Sequence, residues 1–232
     1  MNTGDPLEDT ELPPKSTRSS ELWCVFDLES APLPEDQLLS QIPEFAPAAN
    51  LKDPDKMKAS IEDKKARYMS QAALSPLTGR VVAVGIKPSW SPPIIFHGTD
   101  EKQVVGDAVG WLNHTISERI QCIGFNIHGF DLPFLRFRAI VHKVQPLHWI
   151  RYNGRANWAE KFRDLLPELV MGRDFAGYNL DAVSKSLGLG QKNGSGAFFW
   201  DLYQTDQKQA LAYLENDLEL TAKLAVRMGV VG

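Results

Sequence analysis

An apolar run of strand length, Trp23-Cys24-Val25-Phe26, leads into Asp27-Leu28-Glu29-Ser30. Strand side chains alternate between faces, so Asp27 and Glu29, spaced i, i+2, project from one side. Ala31-Pro32-Leu33-Pro34 breaks the pattern, and a polar stretch continues to about Gly79. Within it, Asp53-Pro54 reads as an N-cap and first-turn proline, predicting a helix that ends near Leu74-Ser75-Pro76. That helix mixes Lys56, Lys58, Lys64, Lys65 and Arg67 with Asp55, Glu62 and Asp63. Mixed charge of this kind marks a solvated face, with phosphate contact as the alternative.

The β-branched run at residues 80–86 predicts a second strand and residues 93–97 a third, linked closely enough for hairpins. Val104, Val105, Ala108, Trp111, Leu112 and Ile116 recur at helical spacing, which predicts an amphipathic helix over 101–119. A fourth strand is expected at 122–126 and a helix over about 130–142. Residues 144–173 are less regular, with a fifth strand or a short helix around 162–166. A helix opening at Asn179-Leu180-Asp181 is stopped by Gly188 and Gly190; residues 188–196 read as a flexible glycine-rich loop carrying Lys192. The last helix covers about 207–228. The order strand, strand, strand, helix, strand, helix predicts an α/β mixed sheet, antiparallel at first and with a helix crossover afterwards.

Length allows one large domain or two small ones. The formal charge of −4 argues against a broad basic surface. Residues 1–21 hold Asp5, Glu8, Asp9, Glu11 and Glu21 against Lys15 and Arg18, however, so the rest is close to neutral and a nucleic-acid substrate stays open. Residues 1–20, rich in Pro, Ser, Thr and charge, predict a disordered tail. Cys24 and Cys122 lie in apolar runs without metal-type spacing and read as buried free thiols in a reducing compartment. No apolar run reaches membrane-spanning length and the first residues lack signal-peptide order, so a cytoplasmic protein is expected.

Two carboxylates as close as Asp27 and Glu29 repel and resist desolvation, which points to bound cations or a shared proton. The plainer alternative is a strand end entering a polar turn, because D-x-E arises by chance roughly once in a chain of this length. Asp131 follows Asn126-Ile127-His128-Gly129-Phe130, just beyond the carboxyl end of a strand, where ligand sites of open α/β sheets lie. Its plainer reading is a first-turn acid at a helix dipole. Tyr213 and Asp217, four apart, share one helix face, which solvent could equally occupy.

Taken in order, D-x-E, N-x-x-x-F-D and Y-x-x-x-D resemble the three motifs of the DEDD superfamily of 3′-to-5′ exonucleases. Tyr213 matches the DEDDy branch; the histidine branch would need His where this chain has Ala212. The resemblance runs from about Leu22 to Met228, includes Asp164-Leu165 and the stretch from Leu180-Asp181-Ala182-Val183 to Lys192, and is greatest to stand-alone exonucleases similar to the proofreading domain of family B DNA polymerases. It implies a ribonuclease-H-like α/β fold, with a five-stranded mixed β-sheet flanked by α-helices. One exonuclease domain would span 21–232, with residues 31–79 as an inserted helical segment.

The implied reaction is metal-dependent 3′-to-5′ hydrolysis of single-stranded or frayed DNA to nucleoside 5′-monophosphates. By the same resemblance Asp27, Glu29, Asp131 and Asp217 would hold two Mg²⁺ or Mn²⁺ ions, with Asp27 bridging. Such hard ions take oxygen ligands, which suits carboxylates. Tyr213 would orient the attacking water, since an ordinary tyrosine with pKa near 10 is a poor base at neutral pH. Ser30, Asn126, Phe130 and Lys192 are the implied substrate contacts. Core packing is an equal alternative for Phe130, as is a surface linker position for Lys192, and His128 reads as a loop residue. RNA as substrate, a non-catalytic nucleic-acid-binding or polymerase-accessory role, and a polymerase or repair partner complete the expectations.

Overall fold

A computed structural model describes residues 22–144, 161–171 and 177–232. The expected tail at 1–20 and much of the irregular region at 144–173 lie outside the described residues. Among the described residues the strands are β1 (Trp23–Pro32), β2 (Gly79–Pro88), β3 (Ile94–His97), β4 (Gln121–Gly124) and β5 (Phe162–Asp164). They form one five-stranded sheet in the order β3-β2-β1-β4-β5. β2 and β3 pair antiparallel through Val84↔Phe96 and Ile86↔Ile94. β1 and β4 pair parallel with Cys24 opposite Cys122, and β4 pairs parallel with β5, placing Gly124 opposite Asp164. The sheet is therefore mixed, as the order of the elements predicts.

The helices among these residues are α1 (Glu35–Ser40), α2 (Pro54–Ser70), α3 (Glu101–Ser117), α4 (Asp131–Val141), α5 (Leu165–Leu169), α6 (Leu180–Ser186), α7 (Phe199–Thr205) and α8 (Gln207–Arg227). Side chains cap several of them as the sequence suggests. Asp53 accepts from the Asp55 and Lys56 N–H groups, Asn179 from Ala182, and Asp206 from Gln209. β1 alternates between two packing environments. Cys24, Phe26 and Leu28 join Val104, Leu112 and Leu135 of α3 and α4 in one core cluster, whereas Val25 packs with Leu218 and Ala222 of α8. Asp27 and Glu29 share the parity of Val25, so they face the side covered by α8. Cys24 and Cys122 are buried free thiols with sulfurs 3.3 Å apart.

A buried ion pair ties β2, α3 and α4 together. Glu101 receives Nε and Nη2 of Arg138 at 2.7 and 2.6 Å and accepts the Val81 N–H at 2.7 Å. His142 adds a contact at 2.8 Å.

The described chain divides into two compact units, Ser30–Arg80 and the residues on either side of it. Within Ser30–Arg80, Leu33, Leu38 and Ala72 form a small core with Tyr68 and Met69. α2 buries none of its residues, which fits a solvated mixed-charge face, and Arg67 pairs with Asp63 at 3.2 Å. It stops at Ser70 and a 3-10 turn, Ala72–Leu74, takes over, so the expected end near residue 74 is corrected by one turn. β4 also ends early. The expected strand at 122–126 closes at Gly124 because Asn126 takes a left-handed backbone, φ 63°. Among the described residues no helix is long and apolar enough to cross a membrane.

Candidate active site

β1 and α8 bring the first and third acidic motifs together. Asp27 and Glu29 lie on the α8 side of β1, and α8 buries Tyr213 and Asp217 one turn apart on the face turned inward. One carboxylate oxygen from each of Asp27, Glu29 and Asp217 lies within 4.8 Å of the other two. Asp131, the first residue of α4, is 4 % exposed and directs Oδ1 to the Leu28 N–H, 2.9 Å away. It therefore stands beside the three acids and grips the backbone between two of them.

Electrostatics follow from packing these charges in a dry place. Burial, then the charge of Asp217, pushes the Asp27 carboxyl up to about 7, against the opposing pull of Lys192 and the Leu28 N–H. Burial and the neighbouring Asp27 raise Glu29 and Asp131 well above the usual carboxylate range. Asp217 is raised by burial, with Lys192 opposing. Burial and the charges of Glu29 and Asp217 also drive the Tyr213 hydroxyl above its ordinary value. Tyr213 therefore stays protonated at neutral pH and can donate a hydrogen bond.

Among the described residues, Lys192 brings a cation to this cluster. Its Nζ lies 2.5 Å from Asp217 Oδ2 and 4.9 Å from the centre of the Tyr213 ring. The glycines that follow fit against the same residues. A Cβ on Gly194 would stand 2.8 Å from Tyr213 Cδ2, and one on Gly196 would stand 3.6 Å from both Glu29 Oε2 and the Tyr213 hydroxyl. The loop read from sequence as glycine-rich and flexible, with Lys192 either a substrate contact or a linker lysine, thus lies on the acids. The sequence reading gave Gly194 and Gly196 no individual part in the site.

The remaining expected site residues are engaged elsewhere. The Asn126 N–H donates to Asp164 Oδ1 at 2.7 Å, and its side chain sits under Gly129, where a Cβ would come within 2.7 Å of Oδ1. Phe130 is half-buried against the core, its ring 5.4 Å from that of Phe134. Ser30 belongs to the Ser30–Arg80 unit, where its hydroxyl donates to the Ala73 carbonyl at 2.7 Å. His128 contacts the Phe162 carbonyl at 2.8 Å and is a turn residue. Asp164 gathers the N–H groups of Asn126, His128 and Leu166 and thereby shapes the turn that delivers Asp131.

The donor set fits divalent metal. Asp217 Oδ1 is buried and has no hydrogen-bond partner among the described residues, so an acceptor is left free inside an all-carboxylate cluster. A carboxylate donor set with one oxygen unsatisfied, beside the Lys192 ammonium, is of the kind that takes a hard divalent cation.

Comparison with known proteins agrees with this geometry. A family model described as a predicted 3′-5′ exonuclease related to the exonuclease domain of PolB matches residues 98–230, a span that holds Asp131, Tyr213 and Asp217. Among solved structures, the family B DNA polymerase from the hyperthermophilic archaeon Pyrobaculum calidifontis superposes with a TM-score of 0.58 at 19 % identity. The similarity covers 93 % of this chain and 25 % of the polymerase, so this chain spans about a quarter of that protein. No curated protein matches the chain. The shared fold is a ribonuclease-H-like mixed five-stranded α/β sheet flanked by helices.

Proposed function

The chain belongs to the family of predicted 3′-5′ exonucleases related to the exonuclease domain of PolB, and from that premise we propose that it hydrolyses the terminal phosphodiester bond at the 3′ end of single-stranded or frayed DNA. The products are nucleoside 5′-monophosphates. The observation that carries this reading is the convergence of Asp27, Glu29 and Asp217 within 4.8 Å, with Asp131 beside them. Asp27, Glu29, Asp131 and Asp217 would hold two Mg²⁺ or Mn²⁺ ions. Such ions, when bound, neutralise charge at the phosphoryl centre and make water nucleophilic at neutral pH.

The residues of the chain do the positioning. Tyr213, kept protonated by its buried, anionic surroundings, orients the attacking water through its hydroxyl. Lys192, held among the acids, can exchange Asp217 for a phosphate oxygen and so places positive charge where the transition state gathers negative charge. Gly194 and Gly196 leave the space that a larger residue would take from Tyr213 and Glu29. Phe130, half-buried against the core at the mouth of α4, would stack on a base with the part of its ring left accessible, while Asn126 shapes the turn before it. Residues 21–232 would act as one exonuclease domain, with 31–79 inserted.

The test is digestion of a 5′-labelled DNA strand and the matching RNA, each with Mg²⁺, Mn²⁺ or EDTA. A metal-dependent ladder shortening from the 3′ end supports the proposal, and faster loss of RNA would reassign the substrate. Well-folded protein that degrades neither polymer would overturn it in favour of a binding or polymerase-accessory role.

A further inference from the structure

We infer that Asp181 is a positioning residue, which holds Lys192 at the acid cluster by clamping the backbone of the loop that carries it. The inference rests on the reading of Lys192 as a phosphate contact. Asp181 stands in the first turn of α6, behind the Asn179 cap, and its two oxygens are divided between two tasks. Oδ2 takes the ammonium of Lys185, one turn along the helix, at 2.6 Å. Oδ1 accepts the backbone N–H of Lys192 at 2.9 Å, eleven residues further along the chain.

The loop needs such a clamp. After α6 the backbone turns through left-handed conformations at Gly188, φ 66°, and Gly190, φ 132°, which only glycine adopts without strain. Beyond Gly190 the loop is in neither a helix nor a strand until Gly196. Asn193 adds a long contact, 3.5 Å from its side-chain amide to the Ala212 carbonyl. The bond from Lys192 to Asp181 is shorter and is accepted by a charged oxygen, the stronger kind of hydrogen bond. The two side chains that Lys192 meets, Asp217 and Tyr213, belong to α8. Asp181 thus couples the start of α6 to the catalytic face of α8 through one main-chain bond. The pairing with Lys185 holds the Asp181 carboxyl below its ordinary value.

Asp181→Ala removes the clamp, Asp181→Asn keeps an acceptor oxygen for the Lys192 N–H, and Lys185→Ala removes only the other partner. We expect Asp181→Ala to speed hydrogen exchange in the peptide covering residues 189–196 and to lower kcat/KM on a DNA oligonucleotide roughly tenfold, the scale of one hydrogen bond to a charged group. Asp181→Asn, which keeps a weaker, neutral acceptor, should fall between wild type and Asp181→Ala, and Lys185→Ala should stay within about twofold of wild type. In a Lys192→Ala background, Asp181→Ala should lower activity no further, because the two act in series. Additive losses, an Asn variant as impaired as the Ala variant, or unchanged exchange in Asp181→Ala would each overturn the inference. Absence of nuclease activity in the wild type would overturn the functional reading instead, and the exchange measurement alone then decides whether Asp181 clamps the loop.

Discussion

The carboxylate of Asp131 accepts the N–H of Leu28 at 2.9 Å, and Leu28 is the residue between Asp27 and Glu29. The second acidic motif therefore fixes the backbone of the first, across 103 residues of chain. An acid at the mouth of α4 thus has a structural task, and the proposed reaction gives it a chemical one; the two can be separated.

Asp131→Asn retains an acceptor for the Leu28 N–H and removes a charge from a crowded acidic site. Its stability should equal or exceed that of wild type, with hydrolysis lost. Asp131→Ala leaves the buried N–H without its acceptor and should cost about 1–3 kcal/mol, less whatever charge repulsion it relieves. Urea denaturation checks this; equal stability of the two variants would remove the structural task.

The metal-free acid cluster should weaken the fold as pH rises. Asp27 has its pKa raised from 3.8 to about 7, so the folded state binds more protons than the unfolded state between those values. Its contribution to stability is complete below the lower value and is lost as pH climbs through the upper one. Glu29, Asp131 and Asp217 are shifted the same way. In EDTA, Tm should fall across that window. Asp27→Asn should flatten the fall and raise Tm above pH 7. A slope unchanged in the variant would show that Asp27 is not raised.

Gly194→Ala should damage activity more than stability. The new methyl would meet the Tyr213 ring at 2.8 Å, inside any normal contact, and either the ring or the loop must move. Displacing a residue that orients the nucleophile by about 1 Å can cost on the order of a hundredfold in rate. The loop carries little core, so Tm should shift by only a few degrees, as expected of roughly 1 kcal/mol. Wild-type kcat in a folded Gly194→Ala protein would contradict the placement of the loop.

Tyr213→Phe keeps the ring beneath Lys192 and removes the hydroxyl beside Glu29 and Asp217. We expect kcat to fall about 10–100-fold with KM nearly constant, the sign of an interaction made mainly in the transition state. A rise in KM at unchanged kcat would assign the hydroxyl to substrate binding.

How much of this was legible in sequence depended on whether the cause was local. β1 shows as an apolar run ending in two acids spaced i, i+2, and α8 carries strong helical periodicity; these local signals put each pair of site residues on one face. The early end of β4 was not legible, because Asn126 is turned by Asp164, 38 residues away. The place of Lys192 depends likewise on Asp181 and on the fit of Gly194 against Tyr213, neither of which leaves a periodic trace. α7 is a seven-residue helix without a side-chain cap; it packs through Phe199 and Tyr203, so tertiary contact rather than local signal makes it. The surroundings of the expected substrate contacts were no more legible, since Asn126 and Ser30 make hydrogen bonds to Asp164 and Ala73, both far away in sequence.

The most direct measurement is the rate at which wild type and Asp27→Ala, both shown to be folded, shorten a 5′-labelled DNA strand in Mn²⁺. Hydrolysis at the acid cluster predicts stepwise loss from the 3′ end by the wild type and a fall of about a thousandfold or more in the variant, the scale expected when preorganised charge stabilisation at a transition state is removed. Equal rates in the two proteins would contradict it and move the chemistry away from these four carboxylates.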